Sequence, residues 1–128
     1  MASGESIMNS PFAVGVEELD RIRAVNVSGE LDYATAPELR DVFDQVISSG
    51  ARSVLVDLSD CRFIDSTGLS VLVHARSRIM GDANDSGAGR LEICCPDPQI
   101  RRLLEITGID KAFGVHDSRE EALSALTG

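Results

Sequence analysis

Ser53-Val54-Leu55-Val56-Asp57-Leu58, followed by Cys61-Arg62-Phe63-Ile64-Asp65-Ser66-Thr67-Gly68-Leu69, decides the fold of this chain. The first stretch alternates as a short strand rich in β-branched residues. The second leaves that strand and opens a helix over Ser66 to Met80, with Leu69, Leu72, Val73 and Met80 on its inner side. Ser66 stands where the N-cap is expected, its hydroxyl placed to satisfy free amides of the first turn. A strand that feeds a helix through a short loop is the unit of a parallel sheet.

Working outward, the same unit recurs. Upstream, Phe12 to Glu17 and Arg21 to Ser28 are short apolar runs separated by Glu18-Leu19-Asp20, the pattern of a hairpin. Thr35 and Glu38 fit a capping box, with Pro37 in the first turn, and Leu39, Val42, Phe43, Val46 and Ile47 keep helical spacing up to Gly50. Downstream, 81–90 is rich in Gly, Asp, Asn and Ser and reads as a flexible connection. Arg90 to Cys95 is a strand, Asp97-Pro98 opens a third helix that ends at Gly108, and Ile109 supplies an apolar contact after that end. Ala112 to His116 is a short last strand, and Ser118 with Glu121 caps a fourth helix ending near Leu126.

The order β-β-α-β-α-β-α-β-α predicts an α/β fold with right-handed crossovers and a mostly parallel sheet of four to five strands and about four helices. The first strand is the antiparallel exception, because only a tight turn joins it to the second. Residues 1–11 read as a flexible tail and 12–127 as one domain. In such sheets the functional surface lies beyond the carboxyl ends of the parallel strands, where Ser28 to Ala34, Ser59 to Asp65 and Pro96-Asp97 meet.

Bulk composition narrows the function. The 128 residues are 43% hydrophobic and 26% charged, as in a soluble globular protein. No apolar run is long enough to cross a bilayer, and the N-terminus lacks the basic start and apolar stretch of a signal peptide, so a cytoplasmic protein is expected. With 21 acids against 12 bases the net charge is -9, which disfavours nucleic acid and anionic membranes as partners. Four Phe, one Tyr and no Trp leave little for a stacking platform. Cys61, Cys94 and Cys95 are an odd number of thiols and suggest no disulfide framework; Cys61 precedes the loop that leads to Ser66 and Cys94-Cys95 ends the neighbouring strand, which makes the three candidates for redox control beside a plain core role.

Few residues carry chemistry. His74 and His116 share no spacing with the cysteines that would make a zinc site, and no Gly-rich phosphate loop occurs, so neither a metal nor a cofactor is expected. Asp82, Asn84, Ser86 and Gly87 begin like a calcium loop, but the twelfth position is Ile93 rather than Glu. Asp57, inside a strand, reads as a structural acid that caps backbone groups. Ser66 is the exception. A phosphate there meets the positive end of a helix and its free amides, so a phosphoserine can be held without refolding, and Asp65 beside it makes the spot strongly acidic.

Asp65-Ser66-Thr67-Gly68-Leu69 resembles the phosphorylation motif of the STAS domain found in anti-sigma-factor antagonists. Val27 to Leu39 is similar to that family's first strand-loop-helix, and Val54 to Ser59 to its central strand; the resemblance runs from about Phe12 to Leu126. It implies a non-enzymatic partner switch. The unphosphorylated protein binds an anti-sigma factor that is also a serine kinase, which frees the sigma factor; phosphorylation of Ser66 ends the binding; a PP2C-type phosphatase resets it. It implies a partner-binding surface of Asp32, Asp65, Ser66, Thr67 and Gly68, with Asp32 tied to kinase contact. Two other readings stand beside it. STAS modules also serve stressosome-like assemblies and anion transporters. A receiver-like phosphoryl-accepting domain would use Glu17, Glu18, Asp57 and Lys111, but the predicted topology misplaces those acids.

Overall fold

A computed structural model describes residues 12–81 and 89–127. The calcium-like stretch from Asp82 to Gly87 and the tail of residues 1–11 lie outside the described residues. The elements are β1 (Ala13–Leu19), β2 (Ile22–Leu31), α1 (Ala36–Ser48), β3 (Ser53–Ile64), α2 (Ser66–Met80), β4 (Arg90–Cys94), α3 (Pro98–Ile106), α4 (Ile109–Ala112), β5 (Gly114–His116) and α5 (Arg119–Thr127). The five strands form one sheet in the order β1-β2-β3-β4-β5. β1 is antiparallel to β2 and every later pair is parallel, as the pattern predicts.

Three local expectations shift by a few residues. The hairpin turn is Asp20-Arg21, because β1 stays paired through Leu19↔Ile22 and Asp20 takes the left-handed conformation (φ 60°) that a two-residue turn requires. Residues 109–112 form the short helix α4, so Ala112 closes a helix instead of starting the last strand, which begins at Gly114. Gly108, at φ 80°, reverses the chain after α3 and lets Ile109 fold back into the core. The inner side of α2 carries Leu69, Val71, Leu72, Ala75 and Ile79, whereas Val73 is 42% exposed and Met80 half-buried.

Because β2 to β5 lie in sequence order with right-handed crossovers, α1 to α4 cover one face of the sheet. The odd residues of β2 (Val25, Val27), the even residues of β3 (Val54, Val56, Leu58) and Leu91, Ile93 and Cys95 meet Leu39, Phe43, Leu72 and Leu104 there. The other face holds a smaller cluster of Ile22, Ala24, Leu55 and Cys94 under Ala122 and Leu126 of α5. Alternation along each strand thus sends neighbouring residues into two separate cores.

The largest departure from expectation is the length of β2 and β3. Ser59 to Asp65 is not a loop: β3 runs to Ile64. β4 pairs with β3 only as far as Asp57↔Cys94, but β2 continues alongside through Ser28↔Asp60, Gly29↔Cys61, Glu30↔Phe63 and Leu31↔Ile64. Two register shifts interrupt this pairing, and Gly29 at φ 86° supplies the backbone freedom for them. The result is a two-stranded arm that projects beyond the rest of the sheet. It carries the Asp32 and Ser66 segments at its tip.

Candidate functional site: the tip of the β2–β3 arm

At the end of β3 the chain turns directly into α2. Asp65, not Ser66, is the N-cap. Its Oδ1 accepts the Gly68 N–H at 2.9 Å, and its backbone is extended (φ -103°, ψ -176°). The first helical hydrogen bond follows, from Leu69 N–H to the Asp65 carbonyl. Ser66 is the first residue of the helix and is exposed; Thr67 is half-buried. With capping done by its neighbour, the Ser66 hydroxyl is left on the solvent side, at a helix end whose first amides have no preceding turn to bond.

Asp65 does more than cap. Its second oxygen, Oδ2, accepts the Tyr33 N–H at 3.0 Å, and its own N–H donates to the Leu31 carbonyl at 3.1 Å. One side chain therefore ties the β2–α1 loop to the start of α2. Gly68 completes the junction by having no side chain. A Cβ at this position would lie 2.7 Å from Leu31 Cγ and 2.9 Å from the Leu31 carbonyl oxygen. Gly68 is buried, so its part is to let α2 pack on the end of β2, and it offers a partner no surface. Of the partner-binding residues expected from sequence, the tip brings Asp32, Asp65, Ser66 and Thr67 together, and Gly68 positions them from beneath.

Asp32 also holds the backbone in shape. Its Oδ1 accepts the N–H groups of Ala34 at 2.9 Å and Thr35 at 3.1 Å. Thr35 is the N-cap residue of α1 but forms no capping bond into that helix, so the expected Thr35–Glu38 capping box does not form. Its hydroxyl turns back instead, donating to the Glu30 carbonyl at 2.8 Å and accepting from the Asp32 N–H at 2.9 Å. The end of β2 thus takes the hydroxyl that a capping box would have turned into α1.

Around this tip stand side chains that the sequence reading missed. Tyr33, in the β2–α1 loop, is 76% exposed and Phe63, on β3, is 46% exposed. Tyr33 is the chain's one tyrosine, in a loop flanked by acids, and that isolation is the signal that marks it. Next to Ser66, a shallow and mostly apolar depression is lined by Leu69, Val73, His74, Thr107 and Ile109. Exposed aromatics and an apolar depression are features that anchor protein interfaces.

Asp57 caps backbone as its strand position suggests. Its Oδ1 accepts from Ser59 N–H at 2.9 Å and Ser59 Oγ at 2.5 Å. Sequence gave no sign of its other partner, Arg119 at the start of α5, which donates to Asp57 Oδ2 at 2.8 Å, Asn26 Oδ1 at 3.1 Å and Glu17 Oε1 at 2.6 Å. Burial works to raise the Asp57 pKa, but hydrogen bonds from Ser59 and Arg119 outweigh it and hold the carboxyl below its ordinary value. The Asn26 amide, then Arg119, lower Glu17 as well. This is a structural clasp of β1, β2, β3 and α5. It carries no acid arrangement of receiver type.

Cys61, Cys94 and Cys95 are free thiols, and all three are buried. Burial raises each pKa, that of Cys95 to about 12. The Cys61 thiol also donates to the Phe63 carbonyl at 3.4 Å. Thiolate, the form that reacts with oxidants, is thus disfavoured at all three positions. Among the described residues, no cluster of His, Cys, Asp and Glu has the arrangement of a metal site, and no helix is long and apolar enough to cross a membrane.

The family model of the STAS domain matches residues 13–122. The chain belongs to the STAS domain family. Among curated relatives of this STAS domain, the anti-sigma-B factor antagonist of Staphylococcus aureus (strain NCTC 8325 / PS 47) is 35% identical over 101 residues, which are 79% of this chain and 89% of the relative. The anti-sigma F factor antagonist of Paenibacillus polymyxa is 31% identical over 103 residues, 80% of this chain and 84% of its own. Among solved structures, an anti-sigma factor antagonist from Mycobacterium paratuberculosis superimposes with a TM-score of 0.81 at 29% identity, covering 92% of this chain and 96% of that one. The STAS match spans both strands of the arm and both helices that leave it.

Proposed function

We propose that this STAS domain is an anti-sigma factor antagonist switched at Ser66. Unphosphorylated, it binds an anti-sigma factor with serine kinase activity and releases the sigma factor; phosphorylation of Ser66 ends that binding, and a PP2C-type phosphatase restores it. It acts in the cytoplasm as a binding protein, with no chemistry of its own. The names of the relatives support the antagonist role. The observation that carries the switch is the division of labour at the start of α2: Asp65 caps the helix, and Ser66 presents an exposed hydroxyl that the fold does not use.

The physics of the switch follows from that position. Phosphorylation adds about -1.5 to -2 charge and three acceptor oxygens. In the free protein the helix end offsets part of that charge, and Ser66 is already at the surface, so the fold stays intact. In a complex the same group loses water beside Asp65 and Asp32 and against the partner. A loss of about 2–4 kcal/mol there weakens affinity roughly thirtyfold to a thousandfold.

The test is a pull-down from lysate of the source organism with wild type, Ser66→Ala and Ser66→Asp, followed by kinase reaction and mass spectrometry. Ser66→Ala retains a kinase-like partner constitutively, Ser66→Asp releases it with an unchanged fold, and the phosphate maps to Ser66. Asp32→Asn keeps an acceptor for the Ala34 and Thr35 amides, so slower phosphorylation of this variant reports on the lost charge and not on a lost turn. Phosphate found on Thr67 alone, or phosphorylated protein that binds as tightly as before, defeats the mechanism.

A further inference from the structure

A second surface lies on the other side of α2. Between α1 and α2 runs a groove lined by Arg40 and Phe43 of α1 and by Val71, His74, Ala75 and Arg78 of α2. Its floor is apolar, made by the outer edges of Phe43, Val71 and Ala75. Its rim carries two cations, Arg40 and Arg78, both exposed, with the exposed His74 beside them. That charge is out of character for this chain. The protein carries a net charge of -9, yet α2 holds His74, Arg76 and Arg78 and not one Asp or Glu over its 15 residues.

We propose that this groove docks an acidic amphipathic helix of a protein partner. A helix seated between two packed helices places an apolar stripe on the floor, and acidic residues flanking that stripe reach Arg40 and Arg78. Charge complementarity selects the occupant: the groove lining holds two arginines and no carboxylate, on a protein of net charge -9, so an acidic segment is attracted here. Arg78 pairs with Asp44 across the groove, but both side chains are about half exposed (44% and 49%), and such a pair is weak enough for an incoming carboxylate to replace Asp44. The groove lies toward α1 and the depression beside Ser66 toward α3 and α4, with His74 on the rim of both.

The experiment titrates the isotope-labelled full chain with a helix-stabilised synthetic peptide of about four turns, leucine-striped with glutamates on both flanks. The same peptide with lysines in place of the glutamates is the control. The acidic peptide is expected to shift the amide resonances of Arg40, Phe43, Val71 and Ala75, to bind more weakly as salt rises, and to lose about fivefold or more in affinity against the Arg40→Glu/Arg78→Glu variant. Shifts centred elsewhere, no shift at millimolar peptide, or equal binding of the lysine peptide would each overturn the proposal. Should the double variant fail to fold, the salt series and the lysine peptide decide the matter on wild-type protein.

Discussion

At the residue scale the junction of β3 and α2 depends on two side chains of opposite kind, one that bonds in two directions and one that is absent. Gly68→Ala would ordinarily gain helix propensity, by up to about 1 kcal/mol. Here the new Cβ meets Leu31, both its buried side chain and its carbonyl, and that carbonyl also holds the Asp65 N–H. Neither neighbour is the free end of a flexible chain, so the clash wins and the variant is destabilised by about 1–3 kcal/mol in denaturant titration. Asp65→Ala removes the cap and the tie to Tyr33 together, for a loss of about 1–2 kcal/mol. Asp65→Asn is expected to fall between, since an amide oxygen still caps Gly68 while its nitrogen cannot accept the Tyr33 N–H. Equal stability of Asp65→Ala and wild type would show that the tip is held by something else. Ser66 itself illustrates what sequence leaves ambiguous here: Asp-Ser at the start of a helix offers two capping side chains, and only the geometry tells which one caps and which is left exposed.

At the element scale most of the order of strands and helices is legible in the sequence because helix starts carry local punctuation: Pro37, Asp97-Pro98, and Ser118, whose Oγ accepts the Glu121 N–H; α4, which follows Gly108 without a capping side chain, is not. The arm is not legible, because Cys61 to Ile64 are strand only by virtue of Gly29 to Leu31, some thirty residues earlier, with two register shifts between. The clasp of α5 is hidden for the same reason: Arg119 meets Asn26 and Asp57 across 93 and 62 residues of chain. α5 is only nine residues long and buries little besides Ala122 and Leu126, so this clasp matters to it. Arg119→Ala leaves the Asp57 carboxylate, 9% exposed, without its cation and is expected to cost about 1–3 kcal/mol. The pH dependence has a definite sign. Asp57 and Glu17 are held below their ordinary carboxylate pKa in the folded state. Their contribution is therefore complete above the ordinary carboxylate range, about pH 4–5, and is lost as pH falls through the lowered folded values. Wild type should lose stability to acid in that range more steeply than Arg119→Ala; parallel acid limbs in the two proteins would rule the clasp out as the source.

At the scale of the whole molecule the sheet separates two cores of unequal size, and the cysteines sample both. Cys61 and Cys95 lie in the large core beneath α1 to α4, while Cys94 lies in the small one beneath α5. A region with few buried contacts opens at lower free energy than the global fold. Detachment of α5 uncovers Cys94, whose sulfur lies 3.5 Å from the hydroxyl of the exposed Ser59, without disturbing the arm. Since burial keeps all three thiols protonated in the closed protein, a thiol reagent reacts through opened forms, where the thiol regains its ordinary pKa of about 8.5. Time-resolved labelling read by tandem mass spectrometry should therefore modify Cys94 first, with Cys61 and Cys95 following together at the rate of global unfolding. Arg119→Ala weakens only the fastening of α5, so it should speed Cys94 more than the other two, by about fivefold to a hundredfold for the loss of about 1–3 kcal/mol given above. Simultaneous modification of all three would mean that α5 and the large core open as one unit. Early modification of Cys61 would mean that the arm frays first, and that the tip carrying Ser66 is a moving element and not the rigid platform that the Asp65 and Gly68 contacts describe.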